Sequence, residues 1–194
     1  MEPFGIHGII TLHKIPGEWS DEDFKYWYCP VTAPNGDILV PARISDETKR
    51  SWLVPINGGK LCVENLIMNA GISQLLTNIG VQTQAAMQPF SQILSVGNGA
   101  ISGVTRADTF VNGDAFGTNA RKAPASHANT GFSVMVTTSY AAGDAAGTWT
   151  NIGFYGGGSA TTTAATGTLE THALFSFVKG AIAYAVQYVF LYAN

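Results

Sequence analysis

The sequence predicts a mainly β protein: a β-sandwich with one short helix, preceded by a small amino-terminal β-rich region. Three observations lead there. Apolar residues alternate with a period of two in several segments, for example Phe132, Val134 and Val136, and again from Ile182 to Tyr192. Turn residues rich in Gly, Asn and Pro separate such segments at roughly ten-residue intervals, the spacing of connected strands. Only one stretch, from Val63 to Ile79, repeats apolar residues at spacings of three and four.

Ile6 to Leu12 is β-rich, with His7 and His13 beside it, and Ile15-Pro16-Gly17 ends it. Next, Ser20 could cap a helical turn, because Asp23 lies three residues on and Trp19 with Phe24 has the spacing of a hydrophobic staple. The favoured alternative is a strand from Phe24 to Cys29, which is aromatic and stops at Pro30. Pro34-Asn35-Gly36-Asp37 is a turn between Val31 and Ile38-Leu39-Val40, so a hairpin is expected there. Composition changes across Asn57-Gly58-Gly59, dividing the chain into residues 1 to 60, a docking region or arm, and residues 61 to 194, an assembly domain.

The three-and-four pattern through Val63, Leu66, Ile67, Ala70, Leu75, Leu76 and Ile79 marks an amphipathic helix. Gly71 interrupts it, so the other reading is an extended start followed by a shorter helix capped by Asn69 and ended by Gly80. Strands follow at Phe90 to Val96, Gly131 to Tyr140 and Trp149 to Tyr155. Residues 156 to 167 are nearly all Gly, Ser, Ala and Thr, which reads as a flexible connection. Leu169 to Val178 and Ala181 to Tyr192 close the chain as two strands. In the second, large aromatic residues occupy one face and mostly small apolar ones the other, so both faces should be covered.

Charge is distributed unevenly. Fourteen of the 23 acidic and basic residues lie in residues 1 to 60, leaving nine in the 134 residues beyond. That later density is roughly 7%, against about 25% in ordinary domains. A surface of Gly, Ala, Ser, Thr, Asn and Gln is easier to desolvate than one of Lys and Glu, because burying an unpaired charge costs several kcal/mol. Permanent subunit contacts are the expected use. A net charge of -3 and scattered basic residues argue against nucleic-acid binding. The first residues lack the basic stretch and cleavage site of a signal peptide, and the apolar run Ala181 to Ala193 is too short to span a membrane. Synthesis in a cytoplasm is expected, with Cys29 and Cys62 as free buried thiols rather than a disulfide.

Candidate chemistry is sparse. His7, His13, His127 and His172 are far apart, with no zinc-site spacing, and Glu18, Asp21, Glu22 and Asp23 lack the alternation of a calcium loop. Gly97-Asn98-Gly99 has no following Walker lysine and reads as a turn between strands. No Gly-x-Ser-x-Gly elbow is present. Asp108, Asp114, Asp144 and Glu170 could meet in space as a hydrolase pair, the weakest of the readings. No cofactor is implied and no catalytic or metal-binding residue is assigned. Trp19, Tyr26, Trp27, Tyr28 and Trp52 are the candidate partner contacts, able to stack on sugars or fill a partner's pocket, and equally able to form a small core of their own.

From residue 61 onward the order of motifs resembles a module of tailed-bacteriophage virion proteins, found in small tail, baseplate and fibre-associated components. Asn65-Leu66-Ile67-Met68-Asn69-Ala70-Gly71 opens it, and Ile93-Leu94-Ser95-Val96-Gly97-Asn98-Gly99 leads to Ala107-Asp108-Thr109. After a variable stretch with Arg121 comes Ala145-Ala146-Gly147-Thr148-Trp149-Thr150-Asn151-Ile152-Gly153-Phe154-Tyr155, then Gly167-Thr168-Leu169 to Phe177 and the alternating final strand. The module usually carries an acid where Asn151 stands and a Leu where Phe154 stands. The resemblance implies a non-enzymatic virion protein, on the tail or at fibre attachment, that forms a homo-oligomer, a trimer or ring, with other virion proteins as partners. A capsid decoration or cement protein is the alternative, and a host-glycan-binding module the second.

Overall fold

The computed structural model describes residues 5–14, 31–32, 38–40, 54–60, 62–80, 89–130 and 133–193. They form a mainly β structure with one helix. In chain order the elements are β1 (Gly5–Lys14), β2 (Val31–Thr32), β3 (Ile38–Val40), β4 (Cys62–Ile67), α1 (Asn69–Gly80), β5 (Ile93–Gly97), β6 (Arg121–Lys122), β7 (Ser126–Thr130), β8 (Ser133–Tyr140), β9 (Gly147–Gly156), β10 (Thr168–Leu169), β11 (Thr171–Lys179) and β12 (Tyr184–Ala193). The expected hairpin is present, β2 pairing β3 with Val31 opposite Val40.

All other strands belong to one antiparallel sheet, ordered β6-β5-β9-β11-β4-β1-β12-β8-β7, with β10 added beside β9. The sheet is curled on itself, and two observations require it. Its two edge strands, β6 and β7, are separated in sequence only by Ala123, Pro124 and Ala125, which span at most about 14 Å of extended chain. The rings of Phe154 on β9 and Tyr188 on β12 have centroids 4.7 Å apart, although β11, β4 and β1 lie between those strands. A flat sheet would hold them about 19 Å apart. The two layers expected of a sandwich are thus the two halves of one continuous sheet.

The interior is aromatic. Trp149 is fully buried, donates from Nε1 to the Ala145 carbonyl at 2.7 Å, and meets Tyr140, Phe175 and Phe177 at centroid distances of 5.0, 6.0 and 5.7 Å. β12 is buried on both faces as its pattern predicts: Val186 and Tyr188 enter the interior, while Ala185, Gln187 and Val189 are also inaccessible.

β1 lies near the centre of the sheet. It pairs with β12 along its whole length, Gly5 opposite Ala193 through Lys14 opposite Tyr184, and with β4 on its other edge. The change of composition at Asn57-Gly58-Gly59 is therefore not where the sheet begins. Those three residues form a tight turn with positive φ, bonded onto β11: Asn57 Nδ2 donates to the Leu174 carbonyl at 2.9 Å, and Ser176 N donates to Asn57 Oδ1. Such long-range pairing leaves no trace in local composition.

Of the two readings for residues 63 to 79, the extended start followed by a short helix is the observed one. The first helical bond runs from Ile72 N to the Met68 carbonyl at 2.9 Å, which moves the capping position to Met68, one residue earlier than expected. Gly71 is the helix residue that is fully buried, because the helix crosses the chain at Glu170 there. A Cβ at Gly71 would lie 2.9 Å from Glu170 Cα and closer still to its carbonyl oxygen. Gly71→Ala should therefore destabilise the fold by about 1–3 kcal/mol, although alanine's helix propensity alone would stabilise it by about 1 kcal/mol. Denaturant unfolding decides the sign, and a stabilised variant would mean the helix shifts freely. The apolar stripe of α1 faces outward: Ile72, Leu76 and Ile79 are 36%, 64% and 81% exposed.

Candidate functional site

The outer face of β5, β9 and β11 is covered by the long connection between β5 and β6, and a network of polar side chains meets beneath it. β11 alternates, so Thr171 and Ala173 are directed to the interior side while His172 emerges outward. Asn151 on β9 lies beside it. The connection passes over both, close enough that a Cβ at Gly97 would overlap the Asn112 carbonyl oxygen. This close approach, more than the need for a turn, explains the first glycine of Gly97-Asn98-Gly99.

Three residues form the centre of this network. His172 Nδ1 lies 2.8 Å from Asp108 Oδ2, and His172 Nε2 lies 3.0 Å from Asn151 Oδ1. The Asn151 amide is oriented by the backbone of Asn112, whose N–H donates to Oδ1 at 2.8 Å and whose carbonyl accepts from Nδ2 at 2.9 Å. Asp108 is oriented by its own turn, accepting from Thr105 N at 3.1 Å and from Thr105 Oγ1 at 2.7 Å. Both ring nitrogens of His172 thus face acceptors. A neutral ring can donate to one at a time, and an imidazolium to both.

Burial lowers the pKa of His172 below its usual value, opposed by the hydrogen bond and charge of Asp108. Burial pushes Asp108 the other way, but its bonds from Thr105 and His172 prevail and hold the carboxyl below its ordinary range. With both nitrogens engaged, His172 offers no lone pair to an outside molecule. The two bonds tie the loop that carries Asp108 to Asn151 of β9 through His172 of β11. Beside it opens a cleft of about 340 Å³, lined by Ile101, Asp108, Thr109, Phe110, Asn112 and His172.

A second clamp is centred on Arg121 of β6. Its Nη1 pairs with Asp114 Oδ2 at 2.7 Å, Nη2 donates to the Thr166 carbonyl at 2.6 Å, and Nε donates to the Thr161 carbonyl at 3.2 Å. The guanidinium carbon stands 4.0 Å from the Tyr155 ring centroid. Tyr155 in turn accepts from Val111 N at 2.7 Å. The small-residue stretch 156 to 167, expected to be only a flexible connection, is therefore tied to the sheet at two carbonyls.

The four carboxylates weighed as a hydrolase pair do not converge on a shared partner. Asp108 goes to His172, Asp114 to Arg121, Asp144 to Lys122 at 2.6 Å, and Glu170 to Ser91 N at 2.6 Å. Among the described residues no group of His, Cys, Asp and Glu could hold a metal ion. His7 and His13 do share one long strand, contrary to the shorter element expected, and their separation of six positions is about 20 Å. Trp19, Tyr26, Trp27, Tyr28 and Trp52, the reading of Phe24 to Cys29, and Cys29 lie outside the described residues, so the aromatic contact surface and the state of the thiols rest on sequence alone. Among the described residues no helix is long and apolar enough to cross a membrane.

Sequence reasoning named Asp108 and His172 separately but not as a pair. They are 64 positions apart, and no local signal joins them. Comparison with protein-family profiles, with curated protein sequences and with solved structures returns no match for this chain.

Proposed function

We propose that this protein is a non-enzymatic structural subunit of a tailed-bacteriophage virion, placed on the tail or at fibre attachment, that associates with copies of itself through a nearly uncharged surface. The observation that carries this reading is the use of its charges. Eight of the nine charged side chains beyond residue 60 hydrogen-bond within the fold: Arg106, Asp108, Asp114, Arg121, Lys122, Asp144, Glu170 and Lys179. Glu64 is exposed. Even buried Lys179 uses its ammonium on the Ala141 and Ala142 carbonyls, both at 2.9 Å. Among the described residues beyond position 60, the exposed surface is mostly small polar groups together with Leu76, Ile79, Phe110 and Val178. Covering such a surface strands few charges, so association has little desolvation to overcome. The virion setting is supported by the order of motifs from Asn65 to Phe177.

Light scattering across micromolar concentrations should give a stable mass above that of one chain. Replacing Leu76 or Val178 by Lys should shift that mass downward while the dissociated chain keeps its β-rich circular dichroism, because both side chains are solvent-exposed in the single chain. A compact monomer at tens of micromolar would refute the reading. Imaging intact particles with a tagged chain then separates tail or fibre attachment from capsid decoration.

A further inference from the structure

We infer that the cleft beside His172 is a binding site for a neutral saccharide, with Phe110 as its stacking platform. Phe110 is 60% exposed, yet the chain on both sides of it is fixed. Asp108 is held by Thr105 and His172, Val111 N donates to Tyr155 Oη at 2.7 Å, and Asn112 bonds Asn151 and, through Nδ2, the Ala100 carbonyl at 2.7 Å. An aromatic ring on so constrained a base meets a ligand with little ordering entropy left to lose. A ring face matches the apolar C–H face of a pyranose.

The rest of the lining completes the chemistry. The cleft volume, about 340 Å³, lies in the range of small-molecule sites. The Asp108 side chain is 24% exposed, so its carboxylate can accept from ligand hydroxyls while His172 and Thr105 hold its orientation. Thr109 and Asn112 add a hydroxyl and an amide. Among the described residues the lining holds no Lys or Arg, and the Asp108 carboxylate repels anions, so phosphate, sulfate and acidic sugars are disfavoured. An ammonium ligand would want several Phe, Tyr or Trp walls around it, and among the described lining residues Phe110 is the one of that kind. A neutral polyhydroxyl ligand with an apolar face fits these groups best.

The test is a glycan array of neutral hexose and N-acetylhexosamine oligosaccharides, followed by titration of any binder and of choline as the cationic control. At least one neutral glycan should bind, Phe110→Ala should weaken it about tenfold, and Phe110→Trp should retain it. Both variants should keep the wild-type unfolding midpoint, since the ring packs little against the fold. Absence of neutral-glycan binding, binding unaffected by Phe110→Ala, or preference for choline would each overturn the inference. Molecular mass measured on the same samples separates this from self-association. A variant that loses mass without any saccharide binding in the wild type would assign Phe110 to a subunit contact and sink the saccharide site alone, whereas a monomeric wild type that binds glycan would sink only the assembly reading.

Discussion

Arg121→Met should lower the unfolding free energy by about 3 kcal/mol, the lower end of the range for removing one partner of a buried ion pair. Methionine keeps much of the aliphatic volume, so the loss reports the guanidinium. Without it Asp114 keeps a charge with no cation, the Thr166 carbonyl loses its guanidinium donor, and the Thr161 carbonyl is left with the Thr166 hydroxyl. The Arg121 side chain is 1% exposed and Asp114 14%, and it is the partial exposure of Asp114 that keeps the cost from the upper end. Adding Asp114→Asn to Arg121→Met should recover part of the loss, since the stranded charge is then gone. A double-mutant cycle in denaturant measures the coupling. A single-variant loss below about 0.5 kcal/mol, the level of a surface substitution, would mean the clamp is ornamental to the fold.

Glu170→Gln should change the pH dependence of stability and reverse its own sign across the pH range. The Glu170 side chain is inaccessible, with Oε2 accepting from Ser91 N and Gly156 packed against Oε1. Burial pushes its pKa up to about 8, with the Ser91 bond pulling modestly downward. The folded state therefore holds this proton more tightly than the unfolded chain. Its contribution to stability is fully present below the unfolded value near 4.5 and is lost as pH rises through 8. The loss at high pH is on the order of several kcal/mol, since one pKa unit is about 1.4 kcal/mol.

Glutamine cannot ionise, so Glu170→Gln should be no more stable than wild type near pH 5 and clearly more stable at pH 8.5. His13 acts in the opposite direction, because burial lowers its pKa to about 3 and its contribution disappears as pH falls below about 6.5. Unfolding should accordingly be compared between pH 6.5 and 8.5, above the His13 window. The same downward slope in wild type and Glu170→Gln over that interval would show that Glu170 is not the group responsible.

Strand positions were legible because alternation is a local property: β8, β9, β11 and β12 lie within a few residues of the predicted Gly131 to Tyr140, Trp149 to Tyr155, Leu169 to Val178 and Ala181 to Tyr192. β7, Ser126 to Thr130, was missed because four of its five residues are polar and it carries no apolar alternation, although it pairs with β8 at the sheet's edge. The amphipathic pattern of α1 did not say where its apolar stripe would face. An apolar stripe reports that something should cover it, and Leu76 and Ile79 are not covered within this chain.

Local order along the chain was enough to establish a mainly β protein, one short helix after an extended start or a longer one, the β2–β3 hairpin and a charge-poor surface beyond residue 60. These follow from side-chain periodicity and turn chemistry, which act over two to ten residues. Tertiary structure alone decided that β1 sits between β4 and β12, that the sheet curls until β9 faces β12, and that Asp108, Asn151 and His172 meet. Those outcomes depend on register and burial between segments scores of residues apart. It also turned the charge-poor surface into a sharper observation, because the few charges present are spent holding loops to the sheet and little of their charge faces outward.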